Sequence, residues 1–276
     1  MTHEGPRGAA NSAAPREPST TDETSYEVVG LTKIFPGIVA LDDVSIEVKK
    51  GEIYGIVGKN GAGKSVLMNV IAGLIPATSG EMRILGEPVD IRRYNSPKAH
   101  EMGVALVPQE PTWAPDMTVR SNLFLGSDLT YRFGIIDVPR FLKTVEEVME
   151  RVGIKARPDA RMRHLPIEDQ QLLAFGKALY IHRARVILLD EITATLPRER
   201  KMSFLEFLKA EVKRSPDLSF TLISHHIDEI MEFCDRVTVM RNGRAIGPLE
   251  VKETSKAELA DLITGGVAIT TGGGRQ

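Results

Sequence analysis

Gly58-Lys59-Asn60-Gly61-Ala62-Gly63-Lys64-Ser65 fits the pattern G-x-x-x-x-G-K-[ST] at every position. The apolar run Tyr54 to Val57 precedes it and predicts a short strand buried on both faces. Ser65 to Gly73 follow with the spacing of a helix. A glycine-rich loop between a strand and a helix N-terminus can wrap a phosphate with its backbone N–H groups. Motif and context together predict a phosphate-binding loop rather than a chance glycine-rich turn.

We expect four polar side chains to have specific roles in binding the phosphates and their metal ion and in activating water. In a loop of this pattern, Lys64 reaches the β- and γ-phosphates of a nucleotide and Ser65 holds Mg²⁺. Further along the chain, the apolar run Val186 to Leu189 ends in the acids Asp190 and Glu191. After a phosphate loop, we expect Asp190 to bind the metal and Glu191 to polarise an attacking water. Without such a loop, the two acids would be read as an ordinary solvated strand end.

Apolar strand-like runs alternate with helical patterns along much of the chain, which predicts an α/β domain with a largely parallel sheet. Asn242-Gly243 is a hairpin signal between two of these runs, and Ser255-x-x-Glu258 is a capping box that starts a last helix. The predicted strands are Val28 to Phe35, Leu41 to Val48, Tyr54 to Val57, Arg185 to Leu189, Phe220 to Ile223, Val237 to Met240 and Arg244 to Ile246.

The middle of the chain differs from its two ends. Strand-like runs are absent from about Met117 to Lys177, and helical apolar spacing there predicts a helical insertion over about residues 112–178. We expect one folded domain over residues 26–264. Residues 1–25 are rich in Pro, Ala, Ser, Thr and Glu, which predicts a disordered tail, and the Gly- and Thr-rich residues 265–276 predict a flexible one.

The bulk composition excludes several classes of protein. The formal net charge is -2, so no basic excess points to nucleic acid. Cys234 is the single cysteine, so no internal disulfide can form, and its apolar helical spacing predicts a small core residue. No run is apolar for long enough to span a bilayer, and the first residues lack the apolar stretch of a signal peptide. We therefore expect a cytoplasmic protein that is at most peripheral to a membrane.

Four separated motifs make the sequence resemble the ATP-binding-cassette (ABC) ATPases, and the resemblance covers nearly all of residues 26–264. The motifs are Asn60 to Ser65, Pro108-Gln109-Glu110, Leu188 to Glu191, and Ile223-Ser224-His225-His226. This resemblance implies a P-loop NTPase (RecA-like) core with a mostly parallel sheet, an antiparallel β subdomain and a helical insertion. It also implies ATP and Mg²⁺ as cofactors.

Within that family the sequence is similar to the first cassette of simple-sugar importers of the ribose and galactose type. The stretches that carry this similarity are Phe35 to Leu41, Gly58 to Ser65, Asp169-Gln170-Gln171 with Lys177-Ala178-Leu179, and Ser224 to Glu229. The similarity implies an ATP-hydrolysing subunit that energises import of a simple sugar or a related small polar solute. It implies a place on the inner face of the cell membrane, with transmembrane permease subunits and a solute-binding protein as partners.

The family resemblance adds three site residues to those that the motifs give. Phe35 corresponds to an aromatic residue that stacks on adenine, although a core phenylalanine at a strand end is the alternative. Gln109 corresponds to the glutamine that contacts Mg²⁺ and water and couples the site to the helical insertion. His225 corresponds to the switch histidine that touches the γ-phosphate. Trp113 fits either the groove for the membrane subunit or a packing role.

The sequence departs from the family in Leu165-Pro166-Ile167-Glu168-Asp169-Gln170-Gln171, the stretch that corresponds to the signature motif. In paired ABC ATPases each nucleotide lies between one subunit's phosphate loop and the other's signature motif. Pro166 replaces a serine that donates to the γ-phosphate, and Glu168 replaces a glycine. A carboxylate about 4 Å from a phosphate charge is repelled by on the order of 4 kcal/mol at an effective dielectric near 20. We therefore expect a second, non-identical cassette as partner, unless Glu168 points away.

Two other interpretations stay open at this point. A regulatory ABC-type subunit that binds ATP and turns it over weakly is favoured by the altered signature stretch and opposed by Glu191 and His225. A P-loop kinase or GTPase is disfavoured, because the guanine-reading Asn-Lys-x-Asp motif is absent from the sequence.

Overall fold

The computed structural model describes residues 23–126 and 138–265 of the chain. The first half contains β1 (Thr24–Phe35), β2 (Ile38–Lys49), β3 (Ile53–Val57), α1 (Lys64–Ile71), β4 (Ser79–Ile84), β5 (Glu87–Pro88), α2 (Ser96–Glu101), β6 (Val104–Val107) and α3 (Val119–Phe124). The second half contains α4 (Val138–Arg151), α5 (Ile167–Gly176), β7 (Val186–Asp190), α6 (Arg198–Arg214), β8 (Ser219–Ile223), α7 (Ile227–Phe233), β9 (Arg236–Arg241), β10 (Arg244–Glu250) and α8 (Lys256–Thr264).

The main sheet has six strands in the order β10-β9-β3-β8-β7-β6. All neighbouring pairs are parallel except β9 and β10, which form the hairpin that Asn242-Gly243 predicts. Every residue of β3 and of β8 is buried, and both strands are mostly apolar, with Ser219 and Thr221 as buried polar residues of β8. The predicted α/β fold with a mostly parallel sheet is confirmed.

A second, antiparallel sheet has the strand order β2-β1-β4-β5. Val44, Ile46 and Val48 alternate toward its buried face, as the period-two pattern of β2 predicts. Two buried hydroxyl contacts join it to β8 of the main sheet. They are Ser25 Oγ to Ser219 Oγ at 2.5 Å and Tyr26 Oη to Thr221 Oγ1 at 2.8 Å. The antiparallel β subdomain is therefore attached directly to a strand next to the one that carries the phosphate loop.

Helices α3, α4 and α5 lie between β6 and β7, where the sequence predicts a helical insertion. The chain continues from α5 into a π-helical turn over Lys177–Ile181. Phe141, Val145 and Val148 of α4 are buried in the same apolar cluster as Phe175 of α5. In the described part of the insertion, the β-type pairing is a single isolated bridge between Thr118 and Arg161.

The structure differs from the sequence analysis at the N-terminal boundary. Composition places Thr24 and Ser25 in the disordered tail, but both are buried residues of β1, with 6% and 0% exposure. Their hydroxyls bond to side chains far along the chain, which no local pattern reveals. Residues 1–22 and 266–276 of the two predicted tails lie outside the described residues.

Three further elements, the strands β4, β5 and β6, have no counterpart among the predicted strands. Each is short, and β6 has four residues of which two are half-buried, so periodicity alone cannot distinguish it from a helical turn. Cys234 is buried, as expected for a small core residue. Among the helices in the described ranges, none has the length and apolar character needed to cross a bilayer.

Candidate nucleotide-binding site

The phosphate loop connects the carboxyl end of β3 to the first turn of α1. Its tight course requires glycine at two positions with positive φ. A Cβ on Gly58 (φ 153) would lie 2.2 Å from the Met240 carbonyl oxygen, and one on Gly63 (φ 102) would lie 2.6 Å from that of Ala40. Glycine therefore lets the loop pack against β2 and β9 at the start of α1, where the N-terminus of a helix favours an anion.

Lys64 is buried in the loop, with 5% of the residue exposed. Its ammonium donates to the carbonyl oxygens of Gly58 at 2.8 Å and Lys59 at 3.1 Å. Burial lowers the pKa of Lys64, while the negative charges of Glu191 and Asp190 oppose that shift. The arrangement places one cation inside the loop and beside the two carboxylates, where a bound phosphate would complete its hydrogen bonding.

Ser65 and Asp190 approach each other at the base of the site. The Ser65 hydroxyl donates to Oδ1 of Asp190 at 3.4 Å, although the two residues belong to α1 and β7. Burial raises the pKa of Asp190 and Glu191 adds to the shift, whereas Ser65, Lys64 and His225 oppose it. A hydroxyl and a carboxylate oxygen at this separation suit a hard divalent cation such as Mg²⁺.

The side chains of Glu191 and His225 are in close contact within the site. Nε2 of His225 lies 2.5 Å from Oε1 of Glu191. The two residues meet because β7 and β8 are parallel neighbours, with Asp190 paired to Ile223. The Glu191 backbone N–H donates to the Ile223 carbonyl at 3.2 Å, and Glu191 itself has a left-handed backbone with φ 53. Such a conformation is unfavourable for a residue with a side chain, and it often marks a functional site.

Gln109 follows β6, the strand next to β7, and lines the same cavity as Glu191. Its backbone carbonyl accepts a hydrogen bond from Nε2 of Gln171 at 2.6 Å. Gln171 is a buried residue of α5, and its Oε1 accepts a hydrogen bond from the Thr195 hydroxyl. One buried amide thus joins the helical insertion to the loop after β6 and to the loop after β7.

Lys64, Ser65, Gln109, Glu191 and His225 line a cavity of about 590 Å³ at the carboxyl ends of the parallel strands, whereas Asp190 is not among its lining residues. It is lined by Ile38, Val39, Ala40, residues 60–66, Gln109, Glu191, His225, Asn242 and Gly243. The sequence analysis missed Ile38 and Val39, which are 64% and 52% exposed at the start of β2. The signal for them in the sequence was a run of four consecutive apolar residues, Ile38 to Leu41, which breaks the period-two pattern of the strand.

Phe35 is not among the residues that line this cavity. It lies half-buried at the end of β1, with the Lys33 ammonium 4.9 Å from its ring centroid. The residues of the β1–β2 hairpin that reach the cavity are Ile38 to Ala40. Trp113 is also half-buried and packs against the main apolar core.

The altered signature stretch forms a regular helix start. Pro166 precedes the first residue of α5, and Glu168 and Asp169 lie in its first turn. Arg200 of α6 contacts both acids, at 2.7 Å from Asp169 and 3.9 Å from Glu168. The Glu168 side chain remains 29% exposed. Its charge is therefore partly balanced within the chain, which weakens the repulsion expected from the sequence without removing the carboxylate from the surface.

A family model described as ABC transporter matches residues 41–194, more than half of the chain. The chain belongs to the ABC transporter family. It is 39% identical to the ribose import ATP-binding protein RbsA 1 of Burkholderia thailandensis over 88% of this chain and 47% of that protein. It is 38% identical to RbsA of Hahella chejuensis over 85% and 46%, so it spans about half the length of these curated relatives.

Solved structures show the same fold. The cbiO1 protein of Clostridium perfringens, described as part of the ABC transporter complex cbiONQ, aligns with a TM-score of 0.71 and 25% identity. The alignment covers 84% of this chain and 90% of that one. The P-loop NTPase fold implied by the sequence is thereby confirmed.

Proposed function

We propose that this ABC family member binds and hydrolyses MgATP and energises the import of a simple sugar or related small polar solute. The observation that supports hydrolysis is the Glu191–His225 contact in the cavity of the phosphate loop. A carboxylate that only capped a strand would not need a histidine at 2.5 Å and a strained backbone. The import function is supported by the relatives named for ribose import.

In the proposed site, each side chain has one task. Lys64 and the N–H groups of residues 58–65 bind the phosphates. Ser65, Asp190 and Gln109 supply oxygen ligands for Mg²⁺, which balances the charge of the phosphates. Glu191 polarises the attacking water, and His225 orients Glu191 and the γ-phosphate. Phe35, or in its place the exposed Ile38 and Val39, provides an apolar face for adenine.

The proposed partners follow from the altered signature stretch and from the family. A phosphate loop with Glu191 and His225 is present on one side of the chain, while Pro166 and Glu168 occupy the other side's nucleotide-facing stretch. We infer that the chain pairs with a non-identical cassette whose signature motif is intact. Transmembrane permease subunits and a solute-binding protein complete the proposed system, with this chain on the inner face of the membrane.

The test is the variant Glu191→Gln, which keeps the shape of the side chain but removes the general base. Binding of a fluorescent ATP analogue should remain, and ATP turnover of the assembled transporter should fall by about 100-fold or more. Uptake of labelled ribose, galactose and a nucleoside into cells is measured with the wild type and the variant. If turnover or uptake in the variant equals that of the wild type, the proposed function is wrong.

A further inference from the structure

Glu229 of α7 is a buried acid that lies outside the nucleotide cavity. Only 6% of the residue is exposed. Its Oε1 is 2.8 Å from the Lys201 ammonium of α6. Its Oε2 accepts hydrogen bonds from the hydroxyls of Thr193 and Ser224, each at 2.7 Å. Neither phosphate binding nor water activation, as proposed for the cavity, uses this carboxylate.

The two hydroxyl donors lie in the loops that carry the reactive side chains. Thr193 is two residues after Glu191, and Ser224 directly precedes His225. The Ser224 Oγ also accepts the backbone N–H of His226 at 3.0 Å. A single carboxylate oxygen, Oε2 of Glu229, therefore holds both loops, one on each side of the Glu191–His225 contact.

The Glu229 carboxylate is held in its ionised form, which strengthens its hydrogen bonds to the two loops. Burial alone would raise its pKa, but the hydrogen bonds from Lys201, Thr193 and Ser224 hold its pKa below the usual range. It is thus ionised at neutral pH, and charge-assisted hydrogen bonds are shorter and stronger than neutral ones. Thr193 and Ser224 are themselves buried, with 1% and 2% exposure, so water does not compete for these bonds.

We propose that Glu229 is a positioning residue that sets the geometry of the Glu191–His225 pair. This inference rests on the proposed function, because it assigns the pair a task in ATP hydrolysis. Glu229 is not among the residues that line the cavity, so it acts through Thr193 and Ser224. Its loss should change the rate of turnover and leave nucleotide binding nearly unchanged.

The competing explanation is that Glu229 only anchors α7 to α6 through Lys201. The two roles use different atoms, since Lys201 contacts Oε1 and the hydroxyls contact Oε2. The variant Lys201→Met removes the anchor, and the pair of changes Thr193→Val and Ser224→Ala removes the links to the loops. Glu232→Gln is the matched control, because Glu232 is an exposed acid on the same helix as the buried Glu229.

The kinetic experiment compares Glu229→Gln with the wild type in the assembled transporter. We expect the affinity and KM for MgATP to stay within about threefold while kcat falls by roughly 10- to 100-fold, as for a misplaced catalytic group. The imidazole NMR signals of His225, assigned with His225→Gln, should shift in Glu229→Gln and in the Thr193→Val/Ser224→Ala variant. They should not shift in Glu232→Gln.

The melting temperature helps to distinguish a positioning role of Glu229 from a role as an anchor between α7 and α6. Lys201→Met should lower the melting temperature. It should shift the His225 NMR signals less than the Thr193→Val/Ser224→Ala variant does. If the His225 signals respond to Lys201→Met alone, or to none of these variants, Glu229 is an anchor and the inference is wrong. The NMR comparison uses the isolated chain and needs no turnover. If turnover is absent in every variant and in the wild type, the proposed function fails instead.

Discussion

At the scale of single residues, the site depends on two adjacent acids with different surroundings. Asp190 lies beside Ser65 and has its pKa raised by burial, whereas Glu191 contacts His225. A group that binds a metal and a group that polarises water need different environments. The change from an extended backbone at Asp190 to a left-handed one at Glu191 points the two carboxylates toward different partners.

The first prediction concerns Lys64. Lys64→Ala removes the ammonium that donates hydrogen bonds to the carbonyl oxygens of Gly58 and Lys59. The phosphates of a bound nucleotide would then lack their cationic partner. Affinity for a fluorescent MgATP analogue, measured by titration, should fall by about 100-fold or more. Lys98→Ala, a change of an exposed lysine on α2, is the control and should bind normally. Equal affinity in the two variants would contradict the assignment of the phosphate loop.

The second prediction concerns pH and Asp190. Its carboxyl binds Mg²⁺ only when ionised, so Mg²⁺-dependent nucleotide binding should weaken as pH falls through the pKa of Asp190. Because burial raises this pKa, the loss should begin at a higher pH than for an exposed aspartate of pKa about 3.9. The measurement is the Mg²⁺-induced gain in nucleotide affinity between about pH 8 and pH 5, in wild type and in Asp190→Asn. A similar pH profile in both proteins would rule out Asp190 as the titrating ligand.

At the scale of elements, the site is built from the ends of adjacent strands. The phosphate loop follows β3, His225 follows β8, Glu191 follows β7 and Gln109 follows β6, and these four strands are neighbours in this order. Parallel strands place their carboxyl ends at one edge, which is where ligands bind in open α/β sheets. Residues far apart in sequence thus meet because each lies one or two positions beyond a strand end.

The third prediction tests the first strand. A chain that starts at residue 26 should be less stable than one that starts at residue 24, because it lacks Thr24 and Ser25 of β1. It loses the Ser25–Ser219 and Thr24–Glu47 side-chain bonds and the bond from Leu85 N–H to the Ser25 carbonyl. At about 1 kcal/mol for each bond, the expected loss is roughly 3 kcal/mol. Urea unfolding of the two truncated chains measures it, and equal midpoints would show that these contacts do not stabilise the fold.

At the scale of the whole molecule, the two surfaces that we propose to face nucleotide differ. One presents the phosphate loop with Glu191 and His225 at a single cavity. The other presents the start of α5, where Pro166 offers no hydroxyl and Glu168 keeps part of its charge exposed despite Arg200. A symmetric pair of this chain would place the altered stretch at both nucleotides. A pair with a different cassette would place the altered stretch at only one of the two nucleotides.

The fourth prediction follows from this asymmetry. The purified chain alone should hydrolyse ATP slowly, and a non-identical cassette with an intact signature motif should raise its turnover. Changing Pro166→Ser and Glu168→Gly together should increase turnover of the chain alone severalfold, because a donor is restored and a negative charge removed. Steady-state phosphate release is the measurement. A chain that is already fast alone, and that the double change does not accelerate, would refute the need for a different partner.

The glycine-rich loop, the acids at the end of β7 and the parallel sheet could all be predicted from the amino-acid sequence. Each depends on a local pattern: the loop on fixed glycine spacing, the strands on continuous apolar runs, and the acids on their place after such a run. Those patterns involve only residues that are close together along the chain, so they can be recognised without knowledge of contacts between distant residues. The family motifs then located Gln109 and His225.

The tertiary structure alone decided which of these groups touch. The left-handed backbone of Glu191, the placing of Ile38 rather than Phe35 at the cavity, the pairing of Glu168 with Arg200 and the two loops held by Glu229 all join residues from different elements. The physical reason is that such contacts depend on strand order and helix packing, which no local period encodes. Local chemistry therefore determined what the site contains, and packing determined how its parts are held.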